Sequence, residues 1–237
     1  MYRTLRYSAS RFVSSAPWRP TVRALTALVA VVSAPALQAQ TLVPNPQLDT
    51  QLAPFQTFLS AAPDPAGTGA APAWQSPPDV NASATSGSAL VNLSPSAANA
   101  KSGIAQCFDF PAPTSVNFVN YSVAFRAADA AALDGAVSAT AEIRLYAGAG
   151  CSGFLSGGTQ AQTLSAPAVP VATWYRVTDS NFVPNNAPVM AASAEIRGYL
   201  RQTGTAPTQS SYAVNFDHFV LVLNSTTPVQ LIHFDVD

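Results

Sequence analysis

Charge is scarce in this chain. Asp, Glu, Lys and Arg make up 10% of its 237 residues, there are two histidines and two cysteines, and Lys101 is the single lysine. Each shortage excludes something. A chain so poor in cations carries no basic stripe for nucleic acid or anionic lipid, so neither is an expected partner. With His218 and His233 as the only imidazoles, there is no His-Glu-x-x-His metal motif, and neither histidine has an evident triad partner. No Gly-x-Ser-x-Gly elbow occurs either. Long apolar runs are also missing. The longest, Ala24–Val32, is far short of the ~20 residues that a membrane-spanning helix needs.

What is present points to export. Arg3, Arg6, Arg11, Arg19 and Arg23 form a basic start without acids, Ala24–Val32 is a short apolar segment, and small residues follow in Ala34-Pro35-Ala36-Leu37-Gln38-Ala39. This order is that of a signal peptide over residues 1–39, cut after Ala39 with Ala36 as the alternative, in a secreted or periplasmic protein. All 12 acidic residues but only 6 of the 11 basic ones follow residue 39, so the remainder carries 6 − 12 = −6. In an oxidising compartment, Cys107 and Cys151 are expected to form a disulfide, since a metal or nucleophile site would need partners that the two histidines do not supply.

The remaining 198 residues (237 − 39) suit one all-β domain, with 20 prolines and few charges. Strands are expected at Leu52–Leu59, Ser88–Leu93, Gly103–Phe110, Phe118–Ala127, Ala139–Ala147, Thr173–Phe182, Val189–Gln202 and Tyr212–Leu223, with a last run over 229–236. Period-two alternation places Tyr121, Val123 and Phe125 on one face. The same rule points Ile143 and Leu145 inward and Glu142, Arg144 and Tyr146 outward, and aligns Ile196, Gly198 and Leu200. The stretches 61–78 and 161–170 read as long loops, and Ala127–Leu133 as a loop or a single helical turn. So many short strands imply a two-sheet antiparallel β-sandwich.

Several segments resemble the carbohydrate-binding-module jelly rolls of the cellulose- and xylan-binding type, within the galactose-binding-like fold. They are Asn45-Pro46-Gln47-Leu48-Asp49 with Leu52-Ala53-Pro54-Phe55, Gly103-Ile104-Ala105-Gln106-Cys107, Tyr121-Ser122-Val123-Ala124-Phe125-Arg126, Thr173-Trp174-Tyr175-Arg176-Val177 and Asn215-Phe216-Asp217-His218-Phe219-Val220-Leu221. The cysteine pair is similar to that of secreted bacterial relatives. Leu48, Phe55 and His218 depart from the usual Phe, Trp and second Asp. The resemblance covers residues 41–223 and implies a jelly roll whose first and last strands meet. It also implies a structural calcium for which Asp49 and Asp217 stand at the matching positions, the alternative being that both are ordinary strand-edge residues. Tyr121, Phe125, Trp174, Phe216 and Phe219 are expected in the core.

Sugar rings stack on flat aromatic faces, which makes Trp74, Tyr146, Tyr175, Tyr199 and Tyr212 the candidate ligand-binding residues; Trp74 could equally plug the end of the sandwich. The sequence therefore supports a non-catalytic secreted sandwich that binds polysaccharide or cell-surface glycan. A structural or adhesion domain is the alternative, and an enzyme with an unrecognised site the third possibility. Mass spectrometry of the exported protein should find a chain beginning at or near Gln40; an intact precursor in the soluble fraction would contradict the signal assignment.

Overall fold

The computed structural model describes residues 41–59 and 67–224, all within one compact unit, Gln38–Asp237. The expected signal peptide and the run 229–236 lie outside the described residues. Among the described residues there are ten strands: β1 (Gln56–Leu59), β2 (Ala73–Gln75), β3 (Ser88–Leu93), β4 (Lys101–Val116), β5 (Val119–Ala127), β6 (Asp134–Gly148), β7 (Ser152–Ser165), β8 (Tyr175–Phe182), β9 (Val189–Gln202) and β10 (Tyr212–Leu223). They form two antiparallel five-stranded sheets, ordered β1-β4-β9-β6-β7 and β2-β3-β10-β5-β8. This is the β-sandwich that the strand pattern predicts.

Three boundaries, those of β3, β9 and β10, coincide with expectation, and the others shift by a few residues. Two strands were not foreseen. β2 lies inside the supposed loop 61–78, and β7 runs into the supposed loop 161–170. The alanine-rich stretch is a 3₁₀ turn over Ala130–Ala132, capped by the Asp129 carboxylate on the Ala131 amide.

Alternation supplies the core. Ile104, Ile143, Leu145, Ile196 and Leu200 from the first sheet face Leu93, Tyr121, Phe125, Phe216, Phe219 and Leu221 from the second, all fully buried. Gly198 on β9 is what lets the sheets approach here. A Cβ at that position would lie 2.9 Å from the Phe219 ring and 3.1 Å from that of Phe216, closer than packed carbons tolerate. Trp174, expected in the core, is instead half-buried at its margin, with its indole N–H donating to the Asp79 carbonyl at 3.0 Å.

The first segment closes onto the last strand. Leu42 N donates to Leu221 O at 3.0 Å, Phe219 N to Pro46 O at 2.8 Å, and Leu221 N to Thr41 Oγ1 at 3.0 Å. Phe55 then packs against Phe219 with the rings tilted by 46° and centroids 4.4 Å apart. At their meeting point β10 carries a bulge. Its register against β5 shifts between Asp217 and Val220, and His218 adopts φ 49°, a left-handed conformation that is uncommon for a non-glycine residue.

Cys107 on β4 and Cys151 in the β6–β7 turn are bonded, with Cα atoms 6.0 Å apart across 44 residues of sequence. In the chain-entropy description, closing a loop of that length stabilises by about 4 kcal/mol. Reduction with dithiothreitol should lower the urea midpoint correspondingly. An unchanged midpoint with both thiols titratable would show that the bond adds nothing to stability.

Candidate functional site

The outer face of the first sheet holds the densest array of polar and aromatic side chains. Strand alternation that sends Ile143, Leu145, Ile196 and Leu200 inward sends Glu142, Arg144, Tyr146, Glu195, Arg197, Tyr199 and Arg201 outward. Register aligns them, with Glu142 opposite Arg197, Arg144 opposite Glu195 and Thr140 opposite Tyr199. Tyr146 and Tyr199 are buried but stand apart from the hydrophobic core.

The two glutamates knit this face together. Glu142 accepts from Arg144 Nε at 2.6 Å, Arg197 Nη1 at 3.3 Å and the Tyr199 hydroxyl at 2.9 Å. Glu195 accepts from Arg197 Nη2 at 2.8 Å and the Tyr146 hydroxyl at 2.7 Å. Burial, reinforced by the glutamates, raises both tyrosine pKa values, so both rings keep their donor protons at neutral pH.

Cations lie over rings across the same face. Arg197 Cζ is 4.4 Å from the Phe58 centroid, Arg144 Cζ 5.5 Å from that of Phe154, and Lys101 Nζ 5.6 Å from that of Tyr199. Phe58 and Tyr199 pack at 5.2 Å and Tyr146 and Phe154 at 6.0 Å. Gly103 opposite Tyr199 makes room for that ring, since a Cβ there would sit 2.3 Å from Tyr199 Cβ. Phe154 is the outermost ring, at 58% exposed.

Of the five aromatic candidates, the structure brings Tyr146 and Tyr199 together on this face. The other three lie elsewhere. Tyr212 points into the core, where its hydroxyl donates to the Asp134 carboxylate; as an inward-facing β10 residue it offers no platform. Trp74, on the edge strand β2, is half-buried with its indole N–H on Leu48 O at 2.7 Å and its ring against Gly87. Tyr175, on β8 of the second sheet, remains exposed beside Phe125, centroids 5.6 Å apart. Phe58 and Phe154 were missed, Phe154 because it belongs to the unforeseen β7. The outward set Glu195, Arg197 and Arg201 was legible from the alternation around Ile196, Gly198 and Leu200.

The second group of titratable side chains surrounds Asp217. Asp49 and Asp217, the expected calcium ligands, take different hydrogen-bond partners. Asp49 is exposed and accepts from Ser86 Oγ at 2.8 Å. Asp217 is fully buried and faces Asp79, with its two oxygens accepting from Val80 N at 3.0 Å and His218 N at 2.7 Å. Arg176 adds further positive charge: its Nη2 lies 3.0 Å from His218 Nδ1, and its field reaches Asp217. A carboxylate with N–H donors on both oxygens and a guanidinium nearby does not fit the oxygen-rich shell that calcium needs. Among the described residues, no group of three or more His, Cys, Asp or Glu could hold a metal ion.

Burial pushes the Asp217 pKa up to about 8, with the Asp79 charge adding to the rise against the two amide hydrogen bonds. Burial and Arg176 push His218 down to about 4. At neutral pH, Asp217 is thus a neutral acid against Asp79, and His218 a neutral imidazole against Arg176.

No family model matches this chain, and no curated protein does. Several solved structures are similar to it in architecture. A carbohydrate-binding module solved with β-1,4-galactotriose has TM-score 0.49 and 11% identity, over 78% of this chain and 99% of that one. The N-terminal cellulose-binding domain of Cellulomonas fimi β-1,4-glucanase C has TM-score 0.41 and 11% identity, over 78% and 99%. A cyclase from Fischerella sp. TAU has TM-score 0.42 and 12% identity, over 76% and 94%.

The Asp217 and His218 shifts make stability depend on pH. Asp217, raised in the folded state, stabilises fully below its unfolded value of 3.8, and that contribution fades as pH climbs through about 8. His218, lowered in the folded state, contributes above 6.5 and loses its contribution as pH falls through about 4. The two slopes oppose each other between about 4 and 6.5, leaving Asp217 alone to act between 6.5 and 8. Urea midpoints should therefore fall from pH 6.5 to pH 8, and Asp217→Asn should flatten that decline. An undiminished slope in Asp217→Asn would refute the assignment.

Proposed function

We propose that this protein is a secreted, non-catalytic β-sandwich that binds glycan on the outer face of the β1-β4-β9-β6-β7 sheet. The observation that supports this reading best is the set of three cation-over-ring pairs on that one face, tied by Glu142 and Glu195 and ending in the exposed Phe154 ring. A pyranose presents an apolar C–H face to a ring and hydroxyls to flanking guanidinium and carboxylate groups, and this surface carries both kinds of contact. The network also holds its side chains in place before ligand arrives, which reduces the ordering cost of binding.

Catalysis gains no support from the Asp217 group. Asp217 is fully buried and Asp79 is 5% exposed, so both carboxyl groups are closed to a substrate, and the half-buried His218 beside them has Arg176 as its partner. The alternative of a structural or adhesion domain is favoured by one observation. The hydroxyls of Tyr146 and Tyr199 are already satisfied within the face, as they would be in a surface that only seals itself.

Affinity electrophoresis and a glycan array distinguish the two. A glycan-binding face predicts retardation by at least one soluble polysaccharide, weakened about tenfold by Phe154→Ala, the value of one lost ring contact. Failure of every glycan to bind would leave the structural reading in its place.

A further inference from the structure

Beyond ligand binding, and independently of it, we propose that two copies of this chain associate through the free edge of β7, antiparallel about a twofold axis. A strand left open at a sheet edge recruits other strands, and proteins guard such edges with shortness, charge or proline. Three of the four sheet edges here are guarded. Edge strands β1 and β2 have only four and three residues. Edge strand β8 has eight and carries Arg176 and Asp179. β7 has none of these guards. It runs for 14 residues, Ser152–Ser165, with no charged residue and no proline.

The open side of β7 is regular as well as uncharged. Its ladder with β6 is unbroken from Ser156 opposite Leu145 to Thr163 opposite Ser138, and both register shifts lie beyond those pairs. Bulges, which turn an edge away from a newcomer, are therefore confined to its ends. Among the described residues, the backbone of 152–164 makes no backbone hydrogen bond outside its pairing with β6. The Thr163 carbonyl accepts a side chain from its own strand, Gln162 Nε2 at 3.1 Å. At the other end, Asn185 N donates to Ser156 Oγ at 2.9 Å, so the loop after β8 packs there. That leaves 157–163 open, with Gly157, Thr159, Gln160, Ala161 and Thr163 exposed.

A second copy is the partner that this edge fits. The chain beyond residue 39 carries 6 − 12 = −6, so two copies repel over most approaches and meet best where charge is missing. Along 157–163 there is none to oppose. The charges beside it are already engaged. Asp179 accepts Gln160 Nε2 at 3.1 Å, and Glu142 and Arg144 on β6 are paired with each other at 2.6 Å. A twofold axis near Gln160 sets 157–163 of one copy against 163–157 of the other, so that each edge satisfies its twin. The β1-β4-β9-β6-β7 sheets of the pair then continue as one, with no β7 edge left for a third copy. A foreign strand would leave its own far edge unpaired and pass the same liability on.

The test is sedimentation equilibrium and amide hydrogen exchange of the intact exported protein over a range of concentrations. The expected result is a reversible monomer–dimer equilibrium in the micromolar range, as suits a small interface. Amides within 157–163 should gain protection as the dimer fills, while those of β1, β2 and β8 should not. Thr159→Lys combined with Ala161→Lys sets like charges across the seam and should weaken association about tenfold. Added NaCl should restore part of that loss, because the repulsion is screened. The exchange of the unaltered protein gives a readout that does not depend on how the variant folds. A monomer at every concentration up to about 100 µM would overturn the inference. So would a dimer whose 157–163 amides exchange as fast as the monomer's, since another face would then hold it. Assembly that continues past the dimer would overturn the twofold closure. Each of these results is separate from glycan binding, which the electrophoresis above reads.

Discussion

At Asp217–His218 the last strand of the second sheet breaks step, and much of the molecule is arranged around that break. The bulge inserts a left-handed residue between two segments that both belong to the core. It leaves Phe216 and Phe219 buried against Gly198 of the opposite sheet, and it presents the Phe219 amide to Pro46 O, so that the first segment can dock. It also holds the Asp217 carboxyl where the Val80 amide can reach it. Without the offset, a regular strand would alternate through these positions and could not bury Phe216, Asp217 and Phe219 together. The strain of a histidine at positive φ is balanced by core burial, by backbone hydrogen bonds and by an acid that is most favourable when protonated.

The outer face of the first sheet illustrates how a chain with so few charges uses them. Both of its glutamates serve one network, and each receives donors from arginine and tyrosine at once. Exposed isolated ion pairs contribute little. Here the Arg197 side chain is only 11% exposed and is clasped between two carboxylates and a ring, which fixes its direction more than it adds to stability. A face so stiffened differs from an ordinary solvated sheet surface, where long side chains sample many rotamers and lose that freedom on contact.

Much of this was readable in the sequence, and the failures have physical causes. β3, β9 and β10 were found to the residue because their apolar periodicity continues to their ends. β7 was missed because an edge strand needs little side-chain burial. Ser152–Ser165 contains Gly153, Gly157 and Gly158, whose backbone pairs with β6 although their composition suggests a turn. The disulfide was legible from cysteine count and compartment. The pairing of Asp217 with Asp79 was not, since Asp79 is a loop residue brought there by tertiary packing alone. Tyr146 and Tyr199 were identified as candidates without the glutamates that define their role, because cross-strand partners depend on register and register is not visible in a single strand.

The way the first segment lies on β10 also has a mechanical consequence. Leu42 bonds to Leu221 and Pro46 to Phe219, so the segment 41–46 runs antiparallel to the end of β10, and Thr41 and Leu223 lie at the same end of the pair. Tension applied through those two points would load the Leu42–Leu221 bond first and the Pro46–Phe219 bond only after it had parted. Bonds broken one after another yield at lower force than bonds sheared together. The sandwich would open as a zipper from this corner, with the Cys107–Cys151 bond and the first sheet behind it still closed.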